Sequence, residues 1–194
     1  MAGTALQEKT KSLLVDAMED LLQSTGKPAR KVTVTELCEK AGVNRKTFYY
    51  HFKDTEDLIM WAFHKAGETI AKNSDYVTHP EESIRFFVDY VAKHGAIYLA
   101  VIEFFGLDEM KQMGFKDHGI FVIPDSFRKI TSNMDAHGEL EFLEFGARFF
   151  AEAICDVMYH YLTAENPRWT KEQIADYAIR VWHAAAMPII ENIE

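Results

Sequence analysis

Residues 33–58 read TVTELCEKAGVNRKTFYYHFKDTEDL, and the first half of this stretch predicts a short helix that ends in a tight turn. Thr33 and Glu36 match a capping box, in which the threonine hydroxyl accepts from the glutamate backbone N–H and the carboxylate accepts from the threonine N–H. A helix over residues 34–41 is therefore expected. Gly42 suits the left-handed conformation that commonly follows the end of a helix.

The residues after that glycine predict a second short helix that packs on the first. Asn44 is a favourable N-cap, and we expect the helix to cover residues 45–52. Phe48 and Phe52 lie one turn apart on it and are expected to enter the core. The inner face of the pair is completed by Leu37, Ala41 and Val43. Such a pair is a helix-turn-helix, whose second helix lies in the major groove of DNA.

The outward face of the second helix carries cationic, hydroxyl and aromatic groups, which a merely solvated helix does not require. Arg45 and Lys46 stand at its N-terminal end, where side chains meet base edges, and either one can donate to a guanine. Phosphate contacts position a protein without reading sequence, and the groups suited to them are Thr35, Thr47, Tyr49 and His51. The alternative is that this face is only the solvated surface of a helical domain.

Charge is divided unevenly along the chain. The 194 residues include 21 Lys or Arg and 30 Asp or Glu, a net charge of −9. Residues 1–65 hold ten basic and nine acidic residues, so the acidic excess falls on the remainder. The cations in the middle of this first part are Arg30, Lys31, Arg45, Lys46 and Lys53. We therefore expect a polyanion to meet the first part and to be repelled by the rest.

Apolar residues recur at intervals of three and four along the whole chain, which predicts helices and no strand. The elements expected outside the helix-turn-helix are a helix over 4–25, a linking helix over 54–74, one opened by Pro80, one after Gly95, short turns over 106–125, and helices over 125–134, 139–164 and 171–192. The predicted fold class is all-α with about nine helices. A three-helix head, residues 1–53, precedes a larger helical body, residues 54–194.

Each of the last two helices carries two apolar rows, whereas a helix on the surface of a monomer needs one. The second row requires either a partner or a central position in a monomeric body. Pairing both helices with a two-fold copy gives a closed four-helix bundle, and a homodimer places two reading helices ~34–36 Å apart. The residues assigned to this interface are Leu143, Ala147, Phe150, Ile154, Ala178, Val181 and Ala185.

Neither catalytic nor metal-binding patterns occur in the sequence. The eight histidines are dispersed, and no phosphate-binding glycine loop, dinucleotide fingerprint or nucleophile elbow is found. We expect no enzyme activity, no metal and no cofactor. Cys38 and Cys155 are expected to be separate buried thiols. No apolar run could span a bilayer and the first residues are too polar for a secretion signal, which predicts a cytoplasmic protein without membrane contact.

The pattern T-x-x-E-L-x-x-x-A-G-V-x-x-x-T-F-Y-x-H-F, which begins at Thr33, resembles the DNA-binding head of the TetR family of bacterial transcription regulators. The DNA-contacting positions that this resemblance implies are Thr35, Arg45, Lys46, Thr47, Tyr49, Tyr50, His51 and Lys53. Thr55 departs from the family, which usually has a lysine there that meets a phosphate. Unless Lys53 substitutes for it, we expect a salt dependence shallower by about one unit of slope.

Residues 60–128 are rich in aromatic and methionine side chains, which indicate either a ligand chamber or an ordinary core. The family resemblance implies an effector pocket in this region. The side chains chosen as candidate effector contacts are Trp61, Phe87, Tyr90, His94, Tyr98, Phe105 and Phe149.

The expected function is that of a sequence-specific transcription regulator, a repressor, that binds a palindromic operator in double-stranded DNA as a homodimer. A small, mostly apolar effector is expected to shift the population towards an arrangement in which the linking helix tilts and the heads lose the groove spacing. The alternative is a DNA-binding adaptor or activator of the same fold, controlled by a protein partner and without a small-molecule pocket.

Overall fold

The computed structural model describes residues 2–76, 78–118 and 137–185, and these form nine α-helices and one short 3₁₀ turn, Ala29–Lys31. In chain order the helices are α1 (Ala2–Thr25), α2 (Val34–Ala41), α3 (Arg45–His51), α4 (Thr55–Lys72), α5 (Pro80–Lys93), α6 (Gly95–Phe105), α7 (Leu107–His118), α8 (His137–Thr163) and α9 (Lys171–Ala185). No strand occurs in these ranges, which confirms the all-α prediction.

One expected region differs from the structure. Short turns were predicted over residues 106–125 because glycines interrupt them, yet α7 forms a continuous helix from Leu107 to His118. Gly114 lies inside it and costs only about 1 kcal/mol relative to alanine. The helix predicted over 125–134 and the end of the helix predicted to reach 192 lie outside the described residues.

The chain divides into two compact units. The head unit contains the described residues up to Ala66 together with His94–Met110. In it α1 packs on α2 and α2 packs on α3. Its fully buried side chains include Leu14, Met18, Leu37, Phe48, Leu58 and Ile59. The structure therefore groups α6 with the DNA-binding helices, whereas the sequence interpretation placed everything after residue 53 in the body.

The body unit contains the described parts of residues 67–93 and 111–194. There α9 packs against α5 and α8, and the ring of Trp182 meets Phe150 at 5.2 Å and Tyr76 at 6.4 Å between centroids. A lysine that sequence reasoning missed, Lys111, is buried on α7. Burial lowers the pKa of Lys111, but bonds to carboxylates of α8 outweigh burial and raise it overall.

The same unit is joined at its surface by contacts between basic and acidic side chains of different helices. Nitrogen–oxygen distances are 2.7 Å for Arg85 and Asp176, 2.6 Å for Lys171 and Asp89, and 2.9 Å for His183 and Glu81. A capping box starts α9: the Gln173 side chain accepts from the Thr170 N–H at 3.0 Å, and the Thr170 hydroxyl accepts from the Gln173 N–H at 3.3 Å. Within the described residues, no helix is both long and apolar enough to cross a membrane.

Candidate nucleic-acid interface

The entrance to α2 has the capping box that the sequence predicts. The Thr33 hydroxyl accepts from the Glu36 N–H at 3.2 Å, and the Glu36 carboxylate accepts from the Thr33 N–H at 3.0 Å. A side-chain hydrogen bond from Lys27, followed by those from Thr33, lowers the pKa of Glu36 to about 2. The carboxylate is therefore ionised at neutral pH. Gly42 closes the helix with φ +67°, in the left-handed region, as predicted.

The start of α3 is fixed by Asn44, whose side-chain oxygen accepts from the Thr47 N–H at 2.8 Å and from the Thr47 hydroxyl at 3.1 Å. Both donors of Thr47 thus serve the cap. A phosphate oxygen can only accept, so a DNA contact through this hydroxyl has to compete with Asn44. Beneath the helix Phe48 and Phe52 are buried with centroids 5.9 Å apart, which confirms their predicted place in the core.

The outward face of α3 is open. Arg45 and Lys46 are exposed at its first turn, with the Arg45 guanidinium 5.9 Å from the centroid of the Tyr49 ring. Tyr49 is 51% and Tyr50 71% exposed, which is high for aromatic side chains in a folded protein. His51 is half-buried and meets the Tyr50 ring edge-on at 4.9 Å. Cationic groups and aromatic hydroxyls therefore stand together on one exposed surface.

The two flanks of this surface also carry predicted contact residues. Thr35 is exposed on the first turn of α2. Lys53 is exposed after α3, and its ammonium lies 4.0 Å from an Asp54 carboxylate oxygen. Thr55 begins α4, where the Asp54 side chain accepts from the Asp57 N–H at 2.9 Å. Lys53 therefore supplies a cation beside the position at which the family usually has its lysine.

Arg30, another cation of the head, makes its contacts with α6. The Arg30 guanidinium donates at 3.0 Å to the backbone carbonyls of Glu103 and Phe104, and it lies 4.9 Å from the centroid of the Phe104 ring. These carbonyls belong to the last turn of α6, where helix acceptors lack intrahelical partners and a positive charge is favourable. Arg30 thus caps the last turn of α6, a contact that its place among the cations of the head did not predict.

A second set of hydrogen bonds joins the end of α6 to the 3₁₀ turn. The Glu103 carboxylate accepts from two successive backbone amides, those of Ala29 at 2.7 Å and Arg30 at 3.1 Å. At the opposite end of α6, His94 Nδ1 lies 2.9 Å from a carboxylate oxygen of Glu19 on α1. Helix α6 is therefore fastened at both ends to the elements that carry the helix-turn-helix. Neither residue pair was predicted.

The candidate effector contacts are divided between the two units. Trp61, His94, Tyr98 and Phe105 belong to the head unit, and Phe87, Tyr90 and Phe149 belong to the body unit. In the head, the Trp61 ring meets Phe52 at 5.9 Å and lies under the Lys11 ammonium at 5.1 Å, while Tyr98 meets Phe63 edge-on at 5.8 Å. Neither unit by itself gathers the seven residues that the sequence interpretation assigned to one chamber.

The body unit has an apolar groove of about 280 Å³ between α8 and α9. Its lining is Phe150, Ala153, Ile154, Val157, Trp169, Ile174, Tyr177, Ala178 and Val181. Beside the groove on α8, Phe145 and Phe149 are 67% and 66% exposed and their rings stack at 6.3 Å; Val181 on α9 is 55% exposed.

The residues assigned to the interface lie partly at this groove. On α8, Ala147, Phe150 and Ile154 are buried within the single chain, Phe150 and Ile154 also line the groove, and the neighbouring Phe145 and Phe149 face outward. On α9 the assigned Val181 is exposed and Ala178 lines the groove. The side chains of Leu143 and Ala185 lie outside the described residues. The spacing of three to four residues identifies both apolar rows of α8, but it does not indicate which row faces the core.

The described residues contain no cluster of three His, Cys, Asp or Glu side chains that could hold a metal ion. Of the two cysteines, Cys38 is buried and Cys155 is intermediate in exposure. Burial raises the pKa of the Cys155 thiol to about 12, so it is protonated at neutral pH.

A capped reading helix, packed on a second helix through a glycine turn and presenting two cations at its first turn, defines a helix-turn-helix DNA-binding head. Residues 16–60 match the family described as bacterial regulatory proteins, tetR family. The match covers the helix-turn-helix head, which is less than a quarter of the chain.

Two further comparisons concern one named protein. The HTH-type dhaKLM operon transcriptional activator DhaS of Lactococcus lactis subsp. lactis (strain IL1403) is 34% identical over 68 residues, which cover 34% of this chain and 35% of that protein. The match thus spans about a third of the relative's length. The solved structure of dihydroxyacetone kinase operon activator DhaS superposes with a TM-score of 0.66 at 21% identity, over 90% of this chain and 94% of the other. This likeness shows that the two chains share a fold.

Proposed function

We propose that this chain is a sequence-specific transcription regulator that reads double-stranded DNA with α3. The observation that carries the proposal is the first turn of α3, where Arg45 and Lys46 are exposed while Phe48 anchors the helix from below. Guanidinium and ammonium groups in this place can donate to guanine O6 and N7 in the major groove. The tetR family match covers this same segment and supports the assignment.

The remaining contact residues act on the DNA backbone. Their hydroxyl, imidazole and ammonium groups are donors for phosphate oxygens, and the residues are Thr35, Tyr49, Tyr50, His51 and Lys53. Thr47 joins them only where it gives up its bond to Asn44. Affinity without sequence preference comes from these groups, and discrimination between sequences comes from Arg45 and Lys46.

Homodimer formation through α8 and α9 is the second part of the proposal. The groove between these helices and the exposed rings beside it form an apolar surface of the kind that a two-fold copy covers in a four-helix bundle. A two-fold dimer reads two half-sites in opposite directions, so the operator is an inverted repeat.

A small, mostly apolar effector is proposed to control DNA binding by a shift between two populations of the body. Effector and DNA then change each other's affinity by the same factor. The direction of regulation depends on where the operator lies relative to a promoter. The curated relative is named an operon activator, which favours activation as the second candidate beside repression. Control by a protein partner in place of a small molecule is the alternative to the apolar effector.

Titration against a duplex at several salt concentrations tests the binding part of the proposal. The logarithm of the binding constant is expected to fall linearly with the logarithm of salt concentration, by about 0.9 per neutralised phosphate. Thr55→Lys is expected to steepen this slope by about one unit, because it adds a cation at the start of α4. Thr55→Ser is the matched neutral control. A slope near zero for the unaltered chain contradicts DNA binding through this head.

Val181→Glu is expected to separate the dimer. Val181 is 55% exposed at the groove, so a carboxylate is tolerated in the single chain, but in the dimer it is buried without a partner at a cost on the order of 3–5 kcal/mol. Sedimentation equilibrium measures the change as a fall from twice the chain mass to the chain mass. Arg180→Glu, an exposed position on the same helix outside the groove, is the control. Equal masses for the unaltered chain and the Val181 variant contradict the proposed interface.

A further inference from the structure

Tyr50 is an exposed aromatic side chain with a defined partner. It stands one helical turn after Lys46, so the two side chains share one face of α3. Its ring is 71% exposed, yet its hydroxyl oxygen accepts a hydrogen bond from the Gln7 side-chain amide of α1 at 3.0 Å. The two residues are 43 positions apart, and both lie in the head unit.

The direction of this hydrogen bond decides what the hydroxyl can still do. A tyrosine hydroxyl has one proton to donate and two lone pairs that accept. The Gln7 amide fills one lone pair, so the proton of Tyr50 stays available. DNA phosphate oxygens are acceptors only, and the hydrogen bond they take from a neutral donor is strengthened when that donor is itself polarised by a second bond.

Gln7 also restricts the position of the Tyr50 hydroxyl proton. An exposed tyrosine ring on a helix ordinarily samples several rotamers, and immobilising it on binding costs free energy. The bond to α1 and the edge-on contact with His51 at 4.9 Å hold the ring from two sides before DNA arrives. Part of the ordering cost is therefore met within the free protein.

We propose that Gln7 is a positioning residue for DNA binding: it holds the Tyr50 hydroxyl so that its proton is donated to a phosphate oxygen beside the groove entered by α3. The inference rests on the proposed function, since it presupposes that α3 meets DNA. It extends the interface to α1 through a neutral residue that needs no contact of its own with DNA.

A double-mutant cycle on the full chain tests this inference. The probe is a mixed-sequence duplex of about 30 base pairs, because a phosphate contact does not depend on sequence. Tyr50→Phe is expected to weaken binding about tenfold and Gln7→Leu about three- to tenfold, in line with single hydrogen bonds to charged and neutral groups. In the Tyr50→Phe background, Gln7→Leu is expected to change the dissociation constant less than about twofold.

Two further variants test whether the effect is specific to the contact between Gln7 and Tyr50. Gln23→Leu makes the same exchange on an exposed position near the other end of α1 and is expected to leave binding unchanged. Gln7→Glu is expected to weaken binding more than Gln7→Leu, because its carboxylate accepts the Tyr50 proton and also repels phosphate. Thermal unfolding of every variant is expected to match that of the unaltered chain, since Gln7, Gln23 and Tyr50 are all exposed.

The outcomes separate the inference from the function on which it rests. If Gln7→Leu weakens binding equally with and without Tyr50→Phe, or has no effect in either background, the positioning role is overturned while DNA binding stands. If the unaltered chain does not bind the duplex even at low salt, the proposed function fails, and the inference fails with it.

Discussion

Phe48→Ala is expected to lower the free energy of unfolding by about 3–5 kcal/mol, the range for removing a buried aromatic ring. The Phe48 side chain is fully buried beneath α3, and its ring meets those of Tyr49 at 5.4 Å and Phe52 at 5.9 Å. Alanine leaves a cavity beneath α3. A loss of this size is a large fraction of the 5–15 kcal/mol that typically stabilises a domain.

Urea unfolding followed by circular dichroism measures this loss. Tyr50→Ala is the matched control, because it removes an aromatic ring of nearly the same size from the same helix at a position that is 71% exposed. We expect its effect on stability to stay within about 1 kcal/mol. Similar losses for the two variants contradict the account of how α3 is anchored.

Arg45→Ala and Lys46→Ala are each expected to cost about 1–3 kcal/mol of discrimination between the preferred DNA sequence and its single-base variants. Both side chains are exposed at the first turn of α3, the end from which a recognition helix contacts bases. Their loss is expected to relax the preference at particular base pairs while binding to other sequences changes less. Competition titrations with a set of single-base operator variants measure both quantities.

Lys53→Ala is the comparison that distinguishes residues that read the base sequence from residues that contact only phosphate. Lys53 lies after α3 and is proposed to meet a phosphate, so its loss is expected to weaken binding uniformly across sequences and to reduce the salt slope by about one. A uniform loss for Arg45→Ala and Lys46→Ala, without change in sequence preference, contradicts their role as reading residues.

The helix-turn-helix could be predicted almost residue by residue because its determinants are local. The bonds between Thr33 and Glu36 and between Asn44 and Thr47 each join residues three positions apart, so the sequence displays both partners together. The left-handed Gly42 is equally local, since only its own φ angle matters. For the same reason α2 begins and ends at the predicted residues.

The contacts that tie α6 to the head could not be predicted in this way. Glu103 and Ala29 are 74 positions apart, and Glu19 and His94 are 75 apart. No periodicity marks such a pair, because each residue alone is an ordinary polar group on a helix or turn. The predicted boundary at residue 53 followed the helix-turn-helix pattern alone, whereas the compact head unit of the structure also includes α6.

In the body unit too, the apolar pattern could be predicted from the sequence, but the burial of particular side chains could not. Two apolar rows on α8 could be recognised from their spacing, but burial of Phe150 and exposure of Phe149 depend on where α9 packs. Likewise, aromatic residues between positions 60 and 128 could be counted, but their distribution over two units follows from the fold.

Selection of bound duplexes from a random-sequence pool shows whether the chain reads DNA as a dimer through α3. We expect enrichment of an inverted repeat whose half-sites are centred about 10–10.5 base pairs apart or a multiple of this, and we expect Lys46→Ala to select a different sequence within the half-site. Failure to enrich any sequence at moderate salt, or enrichment of the same sequence by the Lys46 variant, contradicts a dimeric reader that uses α3.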